Sequence, residues 1–381
     1  MKRPRPSYLL WLVAAAVISF TVAVGSLRAS SGIEELAGIL EQVDGTAARP
    51  FVYRQLVPAA VRAVMSPLPR EEWTRLGQRA IDSGAVAAFE RWTGTHYAWW
   101  NAQRLAPIFI SAFFNFAAAL GLCIVLRSLL EGELSAPRAF HAIVPLVVTY
   151  ALLFLNREGA YSYDLPQAFL FTTGLWMLAQ RKLHGFYVVF ALGLVNKETT
   201  VLLSLVFAVL FLGRMRLSSY VKHGAAQVAI FLFLRTVLEK LFLHNPGQAQ
   251  EWHLFDHNML LFLNPKLSSE ILTPSLVLVG LACREWRSKP VMFRRACIAT
   301  FFPLAATTAL FGWIDELRDF IDVFPIFATL VAISLARDVF GASVTARQED
   351  DMPLRDGIRV LVKEATRIFD RSPADASHSV R

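Results

Sequence analysis

From Tyr8 to Leu27 the chain carries no charged residue. About 20 such residues, each rising roughly 1.5 Å in a helix, match the roughly 30 Å hydrocarbon core of a bilayer. Leu105–Leu126 and Ala139–Leu155 are further uncharged runs of similar kind. In lipid every backbone N–H and C=O must be satisfied within the structure, so runs like these fold as helices. The fold class expected is therefore all-α, a polytopic transmembrane helix bundle. Composition agrees, since hydrophobic residues make up 55% and the mean hydropathy is +0.44, too apolar for an ordinary soluble domain. The formal charge of +8 does not point to nucleic acid. Its Lys and Arg residues sit in short loops between apolar runs, which is an orientation signal, and no nucleic-acid motif accompanies them.

The basic start, Lys2 to Pro6, puts the N-terminus in the cytoplasm, and the first run is too long for a cleavable signal peptide. An outer loop, residues 28–104, follows. In it Val52, Leu56, Ala59, Ala60 and Ala63 share one helical face, and Glu71–Arg91 has a second amphipathic pattern. Both are expected as interfacial helices, with Trp92, Tyr97, Trp99 and Trp100 as an aromatic belt. Asp164–Gln180 forms the fourth crossing. The run from Leu183 to Gly213 is interrupted by Asn196-Lys197-Glu198, and two short helices meeting at Lys197 keep both flanking basic loops on one side. Val221–Leu243, Ile271–Cys283, Ala296–Ile314 and Phe320–Ala336 bring the expectation to about 10 crossings, with both termini cytoplasmic. The transmembrane domain is residues 1–340. Residues 341–381 form a cytoplasmic tail with an amphipathic helix, whose end, Ser372–Arg381, reads as disordered. Cys123, Cys283 and Cys297 lie in or at the ends of apolar runs, so no disulfide framework is expected. No Walker A loop, dinucleotide glycine pattern or serine-nucleophile elbow is present.

This topology gathers Glu34, Glu35, Glu41, Asp44, Arg49, Arg54, Glu158, Asp164, Lys197, Glu198, His253, Asp256, His257, Asp315, Glu316, Arg318 and Asp319 on the outer face, where short loops otherwise carry few cations (Arg157, Lys197, Lys266 and Arg318). Ionisable groups at membrane depth cost several kcal/mol, so they need a reason. Lys197-Glu198 sits at a helix break, where membrane proteins build binding sites, although a mutual ion pair closing the break explains it too. Arg49 and Arg54 suit phosphate, because a guanidinium presents a planar fork of donors. Contact with lipid headgroups is the plainer alternative. Asp44 competes with three nearby glutamates, and Asp164 opens a helix it could simply cap. Asp315–Asp319 reads either as a solvated turn or as part of the outer site. His253 and His257, four apart with Asp256 between, would suit a metal if helical. Arg235 and Glu239 are expected to pair along one helix.

Arg49-Pro50-Phe51-Val52-Tyr53-Arg54-Gln55-Leu56-Val57-Pro58, the Tyr163-Asp164 helix start, Asn196-Lys197-Glu198-Thr199, and Glu316-Leu317-Arg318 followed by Pro325 resemble bacterial multi-pass proteins related to the GT-C-type glycosyltransferases. The likeness covers roughly residues 8–336, through short motifs. It implies a donor sugar on a polyprenyl phosphate, an acceptor outside the cytoplasm, and inverting transfer at the bacterial inner membrane. It implies Asp44 as the catalytic base, with Arg49, Tyr53, Arg54, Asp164, Lys197, Glu198, Glu316 and Arg318 binding substrate. It names no cofactor, and a divalent metal stays open. Expected partners are the lipid-linked sugar, membrane lipid and envelope-assembly proteins. The chain departs from the pattern at two points: no second acid adjoins Asp44, and Lys197 stands where arginine is expected. A transporter or flippase, or a non-catalytic subunit of a polysaccharide assembly system, stays open beside the transferase.

Overall fold

The computed structural model describes residues 6–30, 37–94, 100–156, 159–248, 250–261, 263, 273–347 and 354–370. The expectations for Glu34, Glu35, Tyr97, Trp99, Arg157, Glu158, Lys266 and Ser372–Arg381 lie outside these residues. Apart from one two-residue strand pair, the described fold is helical. Among the described residues, four helices are long and apolar enough to cross a membrane: α1 (Pro6–Ala29), α6 (Ala102–Glu133), α7 (Arg138–Leu155) and α11 (Leu217–Leu241). Between α1 and α6 lie α2 (Ile39–Asp44), a 3-10 turn at Phe51–Tyr53, α3 (Leu56–Met65), α4 (Arg70–Asp82) and α5 (Ala85–Thr93). Further helices fill the rest of the bundle: α8 (Asp164–Ala179), α9 (Leu183–Asn196), α10 (Leu202–Phe211), α12 (Thr273–Cys283), α13 (Val291–Phe311) and α14 (Phe324–Asp338). The tail supplies α15 (Leu354–Asp370).

The main core is built from α6 to α10 with α13 and α14, where Phe171, Phe186, Phe190, Phe207, Phe293 and Leu330 are fully enclosed. The interruption expected at Lys197 is present. Asn196 ends α9, Lys197 is extended at φ −155° and ψ 133°, and a 3-10 turn over Glu198–Val201 leads into α10. Gly193 makes this tight return feasible, because a Cβ there would stand 2.6 Å from Thr200 Cγ2.

Where Glu71–Arg91 is expected as one amphipathic helix, the structure has two, α4 and α5. Gly84, at φ 75°, ends one and starts the next, because a left-handed residue stops α4 before the apolar stripe of α5 begins. The loop is packed rather than splayed. Val57 and Val61 of α3 bury against Val43, Ile110 and Phe114, and Gly77 of α4 lies on the Ala102 carbonyl at the head of α6. Trp92 and Trp100 join Phe20, Phe89 and Phe109 in an aromatic cluster between α5, α1 and α6.

The contacts between elements gather at two ends of the bundle. One gathers the first loop, the end of α9 and the starts of α8, α10 and α14. The other gathers the end of α6, the ends of α8 and α10, and the start of α13. There β1 (Leu134–Ser135) pairs with β2 (Thr345–Ala346), and Glu364 of α15 accepts a hydrogen bond from Leu217 N at 3.0 Å.

Candidate functional site

The first loop reaches the helix break through one backbone hydrogen bond. Gln55 N donates to Val195 O at 2.9 Å, satisfying a carbonyl that the end of α9 leaves without an intrahelical partner. Arg62 braces the loop from behind, donating to Val43 O at 2.9 Å and Gln55 Oε1 at 2.7 Å. Asn245, just past α11, donates to the carbonyls of Gly45 and Ala47. These contacts set Arg54 beside the turn that follows Lys197.

Arg54 is enclosed. It donates through Nη1 to the Tyr163 hydroxyl and through Nη2 to Glu198 Oε1 at 3.3 Å, with its guanidinium 4.3 Å from the Tyr163 ring centroid. Tyr163 stacks on Tyr161 with centroids 5.0 Å apart and planes 9° from parallel. The Arg318 guanidinium lies 4.2 Å from the Tyr161 ring centroid. Each of the two stacked phenols thus has an arginine against its ring, an arrangement favoured by the negative faces of the rings. Burial pushes both phenols above their ordinary pKa, so each keeps its proton. Glu316 holds Arg318 in place, accepting at Oε2 from Nε at 3.1 Å and Nη2 at 2.6 Å.

Beneath this stack the carboxylates gather. Asp164 is the first residue of α8, and its Oδ2 accepts from Tyr161 N at 2.8 Å. Asp322, fully buried at the approach to α14, accepts from Gln167 Nε2 at 2.5 Å and Thr199 Oγ1 at 2.9 Å, tying α8, the broken helix and α14 together. Asn196 completes the network, donating to Tyr163 O at 2.9 Å and Gln167 Oε1 at 3.0 Å. Lys197 is 5% exposed and acts electrostatically on Glu198, Asp319 and Asp322. Burial pushes the Asp319 carboxyl above its ordinary value, against the pull of Lys197, Arg318 and Arg54; burial raises Glu316 too, against Arg318.

Four buried atoms in this cluster make no hydrogen bond among the described residues: Arg54 Nε, Arg318 Nη1, Asp164 Oδ1 and Asn196 Oδ1. Two donors and two acceptors are left open around the stack. Buried polar groups are nearly always paired, so such atoms mark where a ligand group fits. No family model, curated protein or solved structure matches this chain. What the cluster does must therefore be argued from its own chemistry.

Of the residues singled out in the sequence, Arg54, Asp164, Lys197, Glu198, Glu316 and Arg318 come together. Three are employed elsewhere. Asp44 makes its ion pair with Arg70 at 2.6 Å, not with a member of the cluster. Arg49 pins the loop after α11, donating through Nη2 to Gly247 O at 2.6 Å and through its backbone N to Pro246 O at 2.8 Å. Tyr53 is buried with the Arg235 guanidinium 4.7 Å from its ring centroid, and Arg235 pairs with Glu239 at 2.5 Å. His257 bonds Asp315 at 2.8 Å and stacks on Trp313, whereas His253 meets Glu251 and Asp256. Among the described residues, no group of three or more His, Cys, Asp or Glu is placed to hold a metal ion. Tyr161, Gln167 and Asp322 were not singled out. Asp322 had a readable signal, being a lone carboxylate inside an otherwise apolar run.

Proposed function

We propose that the chain is a membrane glycosyltransferase that takes a sugar from a polyprenyl-phosphate carrier and passes it to an acceptor on the non-cytoplasmic side of a bacterial inner membrane. The observation that carries this reading is the largely enclosed arginine pair beside the tyrosine stack, with buried open donors at Arg54 Nε and Arg318 Nη1. Guanidinium donors held in a low-dielectric site suit a phosphate that gains charge as the bond to the sugar breaks. In this reading about ten segments cross the bilayer and both termini lie in the cytoplasm.

Charge balance decides the conditions for binding. Arg54, Lys197 and Arg318 face Asp164, Glu198, Glu316, Asp319 and Asp322. A phosphate adds to this acid excess, and burial, which raises the Glu316 and Asp319 carboxyls above their ordinary values, favours their taking up protons as the anion binds.

In the transfer step the acceptor oxygen attacks the anomeric carbon and the bond from that carbon to the phosphate oxygen breaks. The acceptor's proton passes to a carboxylate, and polyprenyl phosphate leaves as an anion against Arg54 and Arg318. Two carboxylates compete for the proton. Asp44 is the acid favoured by the resemblance, and its ion pair with Arg70 leaves it partly exposed. Asp164 is buried and has an open oxygen beside the arginines, which favours it. The test is glycoside formation from a polyprenyl-phosphate sugar in vesicles carrying Asp164→Asn or Asp44→Asn. Asp164→Asn is expected to lose about a hundredfold or more and Asp44→Asn little. The opposite pattern restores Asp44 as the base. The broken helix at Lys197 supports a second reading, transport of a lipid-linked anion. Labelled lipid crossing the vesicle membrane with no new glycoside would establish transport instead.

A further inference from the structure

A cavity of about 350 Å³ lies at the end of the bundle opposite the tyrosine–arginine cluster. Residues at the ends of α8 and α10 line it, whereas the tyrosine–arginine cluster sits at the starts of the same helices. The length of α8, 16 residues, separates the two by roughly 24 Å. Among the described residues, the walls carry Arg181, Arg214, Arg287, Arg294 and Arg295 and one carboxylate, Glu133. Its volume falls within the range of small-ligand sites.

Basic loops at a cytoplasmic end are expected of any multi-pass protein. That rule does not account for how these residues are arranged. Pro290, Val291 and Met292 also line the cavity, and they are the start of α13, whose N-terminus has no side-chain cap. The first-turn amides and the positive end of a 21-residue helix therefore meet the arginines at one space, the two devices by which proteins hold phosphate. The wall is braced. Lys289, 2% exposed, donates to the carbonyls of Leu281, Ala282 and Leu330 at 2.7–3.1 Å. Arg337 ties Ser288 to Val344 beside β2. Arg294 Nε is buried there without a hydrogen-bond partner among the described residues.

We propose that this cavity binds a phosphate-bearing anion, either the headgroup of an acidic phospholipid or a free phosphate compound. It is separate from the proposed transfer site. The test uses the full chain in uncharged detergent, with phosphatidylglycerol, phosphatidylcholine and inorganic pyrophosphate titrated separately and bound species counted by native mass spectrometry. The wild-type chain is expected to retain phosphatidylglycerol or pyrophosphate over phosphatidylcholine. Pyrophosphate that binds alone and displaces phosphatidylglycerol identifies a free phosphate compound as sufficient; retention of phosphatidylglycerol alone identifies the lipid. Arg287→Gln with Arg294→Gln is expected to weaken retention about tenfold or more. Ala346→Phe, which fills the cavity and keeps every arginine, is expected to do the same, and it serves if the double variant fails to fold. No preference over phosphatidylcholine in the wild-type chain would overturn the proposal. So would retention unchanged by Ala346→Phe, since the arginines would then attract anions from the surface or cap helix ends without enclosing one.

Discussion

At the scale of single residues, the geometry of a guanidinium separates Arg54 from a mere positive charge. Arg54 stacks on Tyr163 while bonding its hydroxyl and Glu198, and an ammonium cannot reproduce a planar stack with a two-sided fork. Arg54→Lys is thus expected to weaken retention of a polyprenyl phosphate by about tenfold, read by lipid binding in detergent. Asp319 and Glu316 set the pH dependence. Both are raised by burial, so each binds its proton more tightly folded than unfolded. Their contribution to stability is present below the unfolded value and fades as pH rises through the folded value. Anion affinity is expected to fall over the same interval, as the cluster loses protons. Asp319→Asn should flatten that profile and raise the thermal midpoint at neutral pH; an unchanged profile would remove Asp319 from the titration. Asp44→Asn should move stability by no more than about 1 kcal/mol, because its pair with Arg70 is partly exposed.

Among the elements, the broken helix carries the most consequence. Its two halves were legible because Asn196-Lys197-Glu198 interrupts an apolar run too short on either side to cross alone. The network that fixes the break was not legible, since Gln167, Thr199 and Asp322 lie far apart in the chain and meet only when α8, α10 and α14 pack. Gly193→Ala would press a methyl group onto Thr200, at an expected cost of about 1–3 kcal/mol in thermal or denaturant unfolding. Asp322→Ala would leave the Gln167 amide and Thr199 hydroxyl short of an acceptor in a buried place, for a loss of similar size. The first loop illustrates the opposite limit. Its amphipathic stripes announced helices, yet periodicity alone could not show that Arg49 is committed to Pro246 and Gly247, or Tyr53 to Arg235. Those partners arrive from α11 and the residues after it, about two hundred positions along the chain.

Over the whole molecule, charge is sorted to the two ends of an apolar bundle. Among the described residues, three cations interleaved with five carboxyls and two tyrosines occupy one end, and an arginine-walled cavity with one glutamate occupies the other. Apolar runs and loop charges made that division readable, whereas the pairing inside each end depends on side-chain geometry that no spacing encodes. The central claim is that the mixed cluster holds a lipid phosphate through Arg54 and Arg318. The most direct measurement is native mass spectrometry of the full chain incubated with polyprenyl phosphate, compared with Arg54→Gln and Arg318→Gln together. The expected result is a one-to-one lipid adduct on the wild-type chain that disappears from the variant, while helical content and gel-filtration behaviour stay the same. An adduct of equal abundance on a folded variant would contradict the claim.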